Sequence, residues 1–422
     1  MKKLNIAVVG SGISGLSCAW LLSKEHHVSI FEKNGYFGGH SNTKSIITKV
    51  DNKNISVDTG FIVFNNKNYP NLESFFKYLG VKTYKTDMSF GVSMQNGSFE
   101  YSGKSLKSLF SNKNNWIKPE FWIMLKDIIG FYRNAEKDSM EYQGFTIDNY
   151  LNEKNYSKSF KYFHLYPMAA SIWSAPINKI KQYPFNNFIS FFKNHGLLNF
   201  LNRPKWETVL NGSRQYVEKI FKSSKIKQRL KENVESIKRT NNKVFLKLKG
   251  KIESFDHVIL AVHSDQALKM IDDIDEQEKK ALKFIKYQKN TVFLHSDQRY
   301  MPKNKSLWSS WNYVENDLTE GSKYLTVSYW MNNLQQLKTQ EQIFVSLNLP
   351  RTPLKQNLYE TIEYSHPMFD NDTIIGQQII KKNQGNKNTW FCGAYLGYGF
   401  HEDGIKSGIE VAEKLSRYKK PW

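Results

Sequence analysis

The chain has 422 residues, which is long enough for two or three domains and at least one sizeable hydrophobic core. Aromatic residues make up 14% of the sequence and the formal net charge is +21, a combination that suits an apolar pocket inside a basic protein. The two cysteines, Cys18 and Cys392, exclude a disulfide scaffold, and their spacing is not that of a metal site, so no metal is expected.

The excess of basic residues has three explanations. A basic surface attracts nucleic acid or the anionic headgroups of a membrane. The third explanation is a diffuse bias toward Lys and Asn that serves no ligand. Neither zinc-finger spacing, nor an RNA-recognition signature, nor a long basic tail is found in the sequence, so we expect no nucleic-acid partner. An anionic membrane surface stays open as a partner.

The first apolar stretch, NIAVVGSGISGLSCAWLL at residues 5–22, could belong to a secretory signal, a membrane anchor or a dinucleotide-binding domain. A spanning helix needs roughly 18 apolar residues without interruption, and this stretch is broken by glycines. Gly10, Gly12 and Gly15 follow the run NIAVV, and a helical run and a second apolar run, HVSIFEK, come next. Strand, glycine turn, helix and strand in this order predict a Rossmann-like cofactor site, with Glu32 placed to accept hydrogen bonds from a ribose.

A second glycine-rich segment lies at the other end of the chain. TWFCGAYLGYGFHEDGIKSGIEVAEKL is typical of a strand, a loop and a closing helix, in which Gly404 and the pair Ser407-Gly408 let the helix N-terminus approach the cofactor. The early pair Gly38-Gly39 follows the second strand, and a further strand is predicted over VDTGFIVFN. Glycine-rich segments at both ends, which meet on one flavin, are the pattern of FAD proteins.

The remaining sequence predicts an α/β protein with an α+β insert. We expect a Rossmann-like FAD-binding domain built from residues 1–66, 205–270 and 385–422, and an inserted substrate domain built from residues 67–204 and 271–384. The cleft between such domains is the default ligand site.

One aromatic segment of the insert, YPFNNFISFFKNHGLLNFLNRPKW, has two interpretations. Phe185, Phe188, Phe192 and the run from Leu198 to Leu201 give apolar faces at roughly helical spacing, with basic residues beside them. We favour an ordinary core helix. A helix lying on a membrane surface has the same pattern, and the basic charge of the chain leaves that alternative open.

Several longer motifs point to a known family. They are VDTGFIVFNNKNYPNL, LYPMAASIWSAP, NHGLL, NGSRQYV, HSDQAL, SSWNY, YWMNNLQ, YSHP and CGAYLGYGFHEDG. Together they resemble a bacterial family of NAD/FAD-binding proteins in the flavin-containing amine oxidase superfamily, which includes phytoene desaturases and protoporphyrinogen oxidase. Members are linked to cyclopropane-fatty-acid-synthase-type methyltransferases, and one type is a methyl-branched fatty-acid desaturase of furan fatty acid formation.

The resemblance implies FAD as the cofactor and assigns residues to it. These are Gly10, Gly12, Ser14, Gly15, Glu32, Lys33, Gly39, His40, Ser41, Gly60, Phe61, Val234, Gly393, Asp403, Gly404 and Ser407. Two positions depart from the usual pattern of the superfamily. His40 stands where an arginine is usual, and Gly393 is followed by Ala394 instead of an aspartate. Both departures argue against an ordinary amine oxidase.

The implied reaction is desaturation of an acyl chain by hydride transfer to flavin N5. It also requires a base that removes a proton from the neighbouring carbon. Histidine titrates closest to neutrality, so His40, His366 and His401 are the candidate catalytic residues, with Glu402 and Asp403 expected to orient His401. Tyr398 joins them as a side chain expected to line the substrate channel. For each histidine, a purely structural hydrogen-bonding role is the alternative.

Two other functions remain open. The first is oxidation of a soluble amine, and the second is a non-redox flavoprotein that acts as an isomerase or as a partner of a lipid methyltransferase. The expected substrate is a lipid or another apolar small molecule. We expect the protein in the cytoplasm, with attachment to the inner face of the cytoplasmic membrane as the alternative location.

Overall fold

The computed structural model describes residues 2–173, 175–194, 196–199, 204–319 and 322–422. The strands within these ranges, in chain order, are β1 (Asn5–Val9), β2 (His27–Glu32), β3 (Thr43–Ile47), β4 (Asn54–Asp58), β5 (Phe64–Asn65), β6 (Thr83–Thr86), β7 (Phe90–Met94), β8 (Phe99–Ser102), β9 (Trp206–Val209), β10 (Lys227–Leu230), β11 (Val234–Arg239), β12 (Val244–Leu248), β13 (Lys251–Phe255), β14 (His257–Leu260), β15 (Tyr287–His295), β16 (Trp311–Thr319), β17 (Ser322–Trp330), β18 (Phe344–Leu347), β19 (Leu358–Pro367) and β20 (Thr389–Phe391). The α-helices are α1 (Ile13–Leu22), α2 (Pro70–Tyr78), α3 (Leu106–Leu109), α4 (Pro119–Glu141), α5 (Ile147–Glu153), α6 (Lys158–Phe160), α7 (Tyr166–Trp173), α8 (Ile177–Lys181), α9 (Phe185–Asn194), α10 (Arg214–Lys222), α11 (Ser264–Met270), α12 (Glu276–Lys283), α13 (Met331–Leu334), α14 (Asn371–Lys382) and α15 (His401–Leu415).

A five-stranded parallel sheet forms the part of the molecule that begins with β1. Its strand order is β10-β2-β1-β14-β20, so segments from the start, middle and end of the chain pair side by side. Four residues of β1, from Ile6 to Val9, are buried, as expected for the central strand of a sheet covered on both faces. The carboxyl ends of β1, β2, β14 and β20 therefore lie along one edge, which is where ligands bind in such sheets.

Helices α1 and α15 pack together against this sheet. Every residue of α1 is buried, which fits a helix that is apolar on all sides. A Cβ atom at Gly408 would overlap the carbonyl oxygen of Ser14, so glycine is needed for the close approach of the two helices.

A larger mixed sheet, in the order β19-β15-β18-β17-β16-β7-β8, forms the second part of the molecule together with the helices of the insert. Helix α9 lies in its core, because Phe185, Phe188 and Phe192 have no exposed surface. Phe185 stacks on Tyr150 with ring centroids 3.7 Å apart. The prediction of a core helix is therefore confirmed for this segment, and the membrane-surface alternative is wrong for α9. Residues 200–203, which include Leu201, lie outside the described residues.

The hydrophobic clusters group some elements differently from the predicted domain boundaries. Helix α2, which follows residue 67, contributes Leu72 and Phe75 to the cluster that contains α1 and α15. Helices α12 and α14 contribute Leu282 and Ile380 to the cluster formed with β1 and β14. These helices of the predicted insert thus pack with the parallel sheet.

The strand predicted over VDTGFIVFN is interrupted. Strand β4 ends at Asp58 and β5 begins at Phe64. Gly60 lies between them, and a Cβ atom at this position would overlap the carbonyl oxygen of His40. The prediction of one continuous strand is wrong, because the chain at Gly60 packs tightly against the loop after β2.

Among the described residues, none of the helices is both long enough and apolar enough to cross a membrane.

Candidate dinucleotide and substrate site

The glycine turn after β1 is held tightly at two positions. Gly10 has φ of 101°, and a Cβ atom there would lie 2.6 Å from the carbonyl oxygen of Ala261. A Cβ atom at Gly15 would overlap the carbonyl oxygen of Gly10. Both residues must therefore be glycine for the turn to close against the neighbouring strand.

Gly12 differs from its two neighbouring glycines. A Cβ atom at Gly12 would have nothing within 4 Å among the described residues, and its φ of −66° is open to any residue. Packing within the chain therefore does not explain a glycine here. Open space above the backbone at the start of a helix is what close approach of a pyrophosphate requires.

The N-termini of α1 and α15 meet at this open space. A Cβ atom at Gly404, in the first turn of α15, would lie 2.8 Å from the Cγ2 atom of Ile13, the first residue of α1. The first turn of a helix presents unsatisfied N–H groups and the positive end of the helix dipole. Two such ends side by side form a strong site for an anionic group.

Glu32 lies at the carboxyl end of β2 with only 7% of its surface exposed. Its Oε2 atom accepts hydrogen bonds from the hydroxyl of Ser11 at 2.6 Å and from the backbone N–H of Ser11 at 3.2 Å. Its Oε1 atom accepts from the backbone N–H of Asn34 at 2.9 Å. The carboxylate is thus fixed beside the glycine turn, at the position predicted for the ribose contact. Lys33, which follows it, is exposed.

Val234 lies at the start of β11 and is buried. The backbone N–H of Glu232, two residues earlier, donates to the backbone oxygen of Glu32 at 3.0 Å. This bond brings the segment before Val234 next to the end of β2. The two residues predicted to contact the adenosine half of a dinucleotide are therefore on adjacent segments.

The loop after β2 packs onto the glycine turn. Gly39 has φ of 59°, and a Cβ atom there would lie 3.1 Å from the Cα atom of Gly12. The backbone N–H of Phe61 donates to the carbonyl oxygen of His40 at 2.8 Å. Gly39, His40, Gly60 and Phe61 thus lie close together near Gly12, and their contacts with a flavin stay a prediction.

His401, the first residue of α15, is held by stacking and by hydrogen bonds. Its ring stacks on Phe61 with centroids 3.7 Å apart and an interplanar angle of 12°. Its Nε2 atom lies 3.0 Å from the hydroxyl oxygen of Ser41 and 3.2 Å from that of Tyr216, and these two hydroxyls also bond to each other. His401 therefore links α15 to the loop after β2 and to α10.

The expectation that Glu402 and Asp403 orient His401 is wrong. Glu402 accepts hydrogen bonds from the backbone N–H groups of Asn71 at 3.0 Å and of Leu72 at 3.1 Å, so it satisfies the first turn of α2. Asp403 accepts from the backbone N–H of Phe400 at 3.0 Å and closes the start of its own helix. Consecutive residues of a helix point in different directions, which explains why neither acid reaches the imidazole.

Three other predicted positions stabilise the start of α15. The backbone N–H of Gly393 donates to the hydroxyl of Ser407 at 2.9 Å, and this hydroxyl donates to the carbonyl oxygen of Gly404 at 2.8 Å. These two hydrogen bonds tie the loop after β20 to the helix that it precedes.

The carboxyl group of Asp403 is buried at the same helix start. Burial raises its pKa to about 6, although two backbone N–H groups oppose the shift.

His40 and His366 meet in a cluster of rings, which we call the imidazole cluster and which consists of His40, His263, His366 and Tyr364. The ring of His40 stacks on Tyr364 with centroids 4.8 Å apart, and it lies 5.2 Å from His366 and 6.4 Å from His263. The Nδ1 atom of His366 accepts a hydrogen bond from the side-chain amide of Asn290 at 2.7 Å. The Nε2 atom of His40 is buried and has no hydrogen-bond partner in the part of the chain that the structure describes.

The histidines at this site are uncharged at neutral pH. Burial, with repulsion from His263, lowers the pKa of His40 to about 4, and burial also lowers the pKa of His263 to about 4. Burial, followed by repulsion from His40, lowers the pKa of His366 to about 3 and holds that of His401 well below its usual range. Each ring is therefore neutral at neutral pH and can accept a hydrogen bond there, whereas taking up a proton would make it cationic.

Tyr398 lies apart from the imidazole cluster, on the side of the insert. Its ring centroid is 6.5 Å from that of Phe191 on α9, and burial raises the pKa of its hydroxyl. Tyr398 thus borders the aromatic core of the insert, and its expected place along a substrate channel stays a prediction.

His263 and Tyr216 were not predicted as site residues. His263 comes three residues after the end of β14, at the carboxyl edge of the parallel sheet, and its ring stacks on Tyr287 at 4.5 Å. Its place after a buried strand was the signal that could have identified it. Tyr216 lies within α10, and the spacing of that helix gives no sign that its hydroxyl reaches Ser41.

Comparisons with known proteins are consistent with this geometry. A sequence-family model described as "NAD(P)-binding Rossmann-like domain" matches residues 8–79. A search of curated protein sequences finds no match.

Solved structures match over nearly the whole chain. Cyclohexylamine oxidase from Brevibacterium oxydans IH-35A is 13% identical, with a TM-score of 0.69, and the match covers 98% of this chain and 100% of that one. A putative protoporphyrinogen oxidase from Exiguobacterium sp. 255-15 is 13% identical, with a TM-score of 0.67 and coverage of 98% and 99%. The CLA-producing fatty acid isomerase from P. acnes is 14% identical, with a TM-score of 0.66 and coverage of 98% and 99%. The predicted fold class is confirmed: the chain has an amine-oxidase-like fold that begins with a Rossmann-like domain.

Proposed function

We propose that this protein is an FAD-dependent oxidoreductase that desaturates an acyl chain, with a methyl-branched fatty acyl group of a phospholipid as its substrate. The observation that carries the proposal is the open space at Gly12, between two helix N-termini and beside neutral imidazoles. A phosphate-bearing cofactor fits the first feature, and an uncharged reacting group fits the second.

The residues present fit FAD. Gly12 and the first turns of α1 and α15 would hold the pyrophosphate, and Glu32 would accept hydrogen bonds from the adenosine ribose. His40 belongs to the loop that packs on Gly12, and its buried Nε2 atom has no hydrogen-bond partner among the described residues. A buried polar atom without a partner is costly, so a group bound at this site, whether cofactor or substrate, would stabilise it by bonding to the Nε2 atom.

FAD bound here would supply an acceptor for a hydride. The chain's own contribution is to position the substrate and to take up the proton that leaves the neighbouring carbon. His40 is the candidate for taking up this proton, because its buried Nε2 atom is not engaged by another side chain in the described ranges. Its pKa of about 4 leaves the ring unprotonated at neutral pH and also makes it a weak base there. Tyr364 fixes the plane of His40 by stacking, and its own hydroxyl is bonded to Asn42 and Thr59, both at 2.9 Å.

An uncharged substrate is favoured over a cationic amine by the lowered pKa values of the cluster. Uncharged imidazoles offer no negative charge to compensate an ammonium group taken out of water. Phe191 and Phe400 stack with ring centroids 4.8 Å apart and pack with the aromatic core of the insert. An alkyl chain is compatible both with the uncharged imidazole cluster and with these aromatic rings.

A second candidate is isomerisation of a fatty acid, in which the hydride returns to the substrate. It is favoured by the likeness in fold to the CLA-producing fatty acid isomerase over 98% of the chain. A third candidate is oxidation of an amine, which is favoured by the likeness in fold to cyclohexylamine oxidase. If the substrate is a methyl-branched lipid, a methyl-transfer reaction must supply it, and a lipid methyltransferase is the corresponding partner in the proposal.

An anaerobic absorption experiment tests the proposal. We expect the purified protein to contain FAD and to lose its visible flavin absorption when methyl-branched phospholipid is added, with a new double bond detected by mass spectrometry. Reduction by amines alone would indicate an amine oxidase. A double bond that moves without net reduction would indicate an isomerase. A protein that cannot be loaded with FAD would contradict all three.

A further inference from the structure

An exposed apolar surface lies at the start of α4 and in the segment before it. Four large apolar side chains form it, and we call them the tryptophan surface: Trp116, Ile117, Trp122 and Ile123. Their exposed fractions are 51%, 84%, 51% and 47%. Tryptophan and isoleucine are residues that folded proteins mostly bury, so a contiguous group of four at this exposure marks an interaction site.

The exposure is fixed by the fold. The indole N–H of Trp116 donates to the carbonyl oxygen of Phe110 at 3.0 Å, and that of Trp122 donates to the carbonyl oxygen of Trp116 at 3.0 Å. On the opposite side of α4, Phe121 and Met124 are completely buried and anchor the helix in the core. The polar N–H groups of both tryptophans are therefore satisfied inside the protein, while their apolar rings face outward.

The tryptophan surface continues along α4 as a face that alternates apolar and basic residues. Trp122, Ile129 and Met140 are separated by 7 and 11 residues, which is about two and three helical turns, so they share one side of the helix. The exposed basic residues Lys126, Arg133 and Lys137 fall on the same side, and Lys107 and Lys113 are exposed in the segment before the helix. The acidic Glu136 on this side is paired with Lys193 of α9.

We propose that the tryptophan surface docks on an anionic lipid bilayer. Tryptophan prefers the membrane–water interface, and an exposed helix with apolar and basic residues on one side binds in the plane of that interface. The basic residues that flank the rings complement anionic headgroups, whereas a purely apolar protein partner would leave them without a counter-charge. The inference does not rest on the proposed function, since no cofactor or substrate enters it.

Binding of the full-length protein to vesicles tests the proposal. We expect the protein to sediment with vesicles that contain phosphatidylglycerol and to bind vesicles of phosphatidylcholine alone at least tenfold more weakly. The double variant Ile117→Ser, Trp122→Ser should lose at least tenfold in binding to the anionic vesicles. The variant Ile117→Ser, Ile123→Ser, which keeps both indole hydrogen bonds, should show the same loss if the surface itself is responsible.

A matched control removes two equally exposed apolar side chains elsewhere. Ile47 and Val50, in the β3–β4 hairpin, are 62% and 64% exposed, and the variant Ile47→Ser, Val50→Ser should bind as the unmodified protein does. Equal loss in this control, or failure of the unmodified protein to bind anionic vesicles, would overturn the proposal. So would a dimer, detected by sedimentation without lipid, that the Ile117→Ser, Ile123→Ser variant disrupts while vesicle binding is unchanged.

The charged residues have a separate test. The variant Lys126→Glu, Lys137→Glu should weaken binding to anionic vesicles at low salt, and the difference from the unmodified protein should shrink as salt is added. Binding that is indifferent to this change would contradict the role of the anionic headgroups. Because sedimentation does not require flavin, a negative result here is distinguishable from failure of the proposed reaction.

Discussion

Gly12 can be replaced without disturbing the fold, because its backbone conformation is ordinary and a side chain would enter open space. We predict that Gly12→Val leaves the free energy of unfolding within about 1 kcal/mol of the unmodified protein but abolishes FAD binding. The side chain would occupy the volume that the pyrophosphate needs. Flavin absorbance per protein chain and urea unfolding measure the two effects. Full retention of FAD would contradict the assignment of this turn.

Gly15 provides the matched comparison. A Cβ atom there would overlap the carbonyl oxygen of Gly10, so Gly15→Ala should instead reduce the free energy of unfolding by about 1–3 kcal/mol. Two substitutions three residues apart should therefore separate ligand binding from stability. Equal stability of the two variants would show that the glycine turn is looser than its contacts indicate.

His40 and His401 should respond differently to replacement by alanine. His401 stacks on Phe61 and bonds to two hydroxyls, so His401→Ala should reduce the free energy of unfolding by about 2 kcal/mol. His40→Ala removes a ring whose Nε2 atom lacks a partner in the described ranges, and we expect it to retain flavin but to slow substrate-dependent flavin reduction by roughly 100-fold. Stopped-flow reduction and urea unfolding of both variants measure the difference. An unchanged reduction rate in His40→Ala would remove His40 from the reaction.

Among the elements, the crossing of α1 and α15 determines the geometry of the cofactor site. Gly408→Ala would place its Cβ atom against the backbone oxygen of Ser14, whereas Gly404→Ala would place it against the end of the Ile13 side chain. Because a side chain moves more easily than a backbone, Gly408→Ala should be the more destabilising change, by about 1–3 kcal/mol. Thermal unfolding compares the two variants. A larger effect at Gly404 would indicate that the helices can separate at Gly408.

The elements of the parallel sheet could be predicted from the sequence. Strands β1, β2, β14 and β20 are short apolar runs next to glycine or helix-start signals, and this local pattern is sufficient to identify them. Helix α9 was also predicted, but its pattern suited both a core and a membrane surface. Only the packing of Phe185 on Tyr150 decides between them, because periodicity shows which side is apolar and does not show what covers it.

Contacts between distant segments could not be predicted. His401 was expected to bond to the acids that follow it, but its partners are Ser41 and Tyr216, which are 360 and 185 residues away. His263 was overlooked although it follows the recognisable strand β14, because the sequence does not show that its ring meets those of His40 and His366. The surface at Trp116 and Trp122 was missed for the same reason, since its exposure depends on how the insert packs.

At the scale of the whole molecule, the uncharged imidazoles make stability depend on pH. Their pKa values, about 4 for His40 and His263 and about 3 for His366, lie below the value of about 6.5 in an unfolded chain. Between pH 6.5 and 4 the unfolded chain binds protons that the native protein does not, so the free energy of unfolding should fall as the pH is lowered through this range. Asp403 and Asp58 act in the opposite direction, since their raised pKa values let the native state bind protons. The lowered pKa values of His401 and His295 add to the fall in stability.

Urea unfolding of the flavin-free protein at several pH values between 7 and 4 measures this dependence. His366→Gln should show a shallower fall of the free energy of unfolding over the same range, because one of the contributing groups is gone. A variant with the same slope as the unmodified protein would place the origin of the pH dependence outside the imidazole cluster.

The meeting of α1 and α15 also has a consequence for biosynthesis. Helix α1 lies within the first 22 residues, whereas the helix that covers it ends at Leu415. While the ribosome is still translating, α1 and the glycine turn are already outside the exit tunnel, but α15, whose first turn completes the proposed pyrophosphate site, has not been synthesised. The Rossmann-like domain therefore closes only after α15 has been synthesised, and during that interval α1, whose residues are all buried in the folded protein, is a segment that chaperones would have reason to shield.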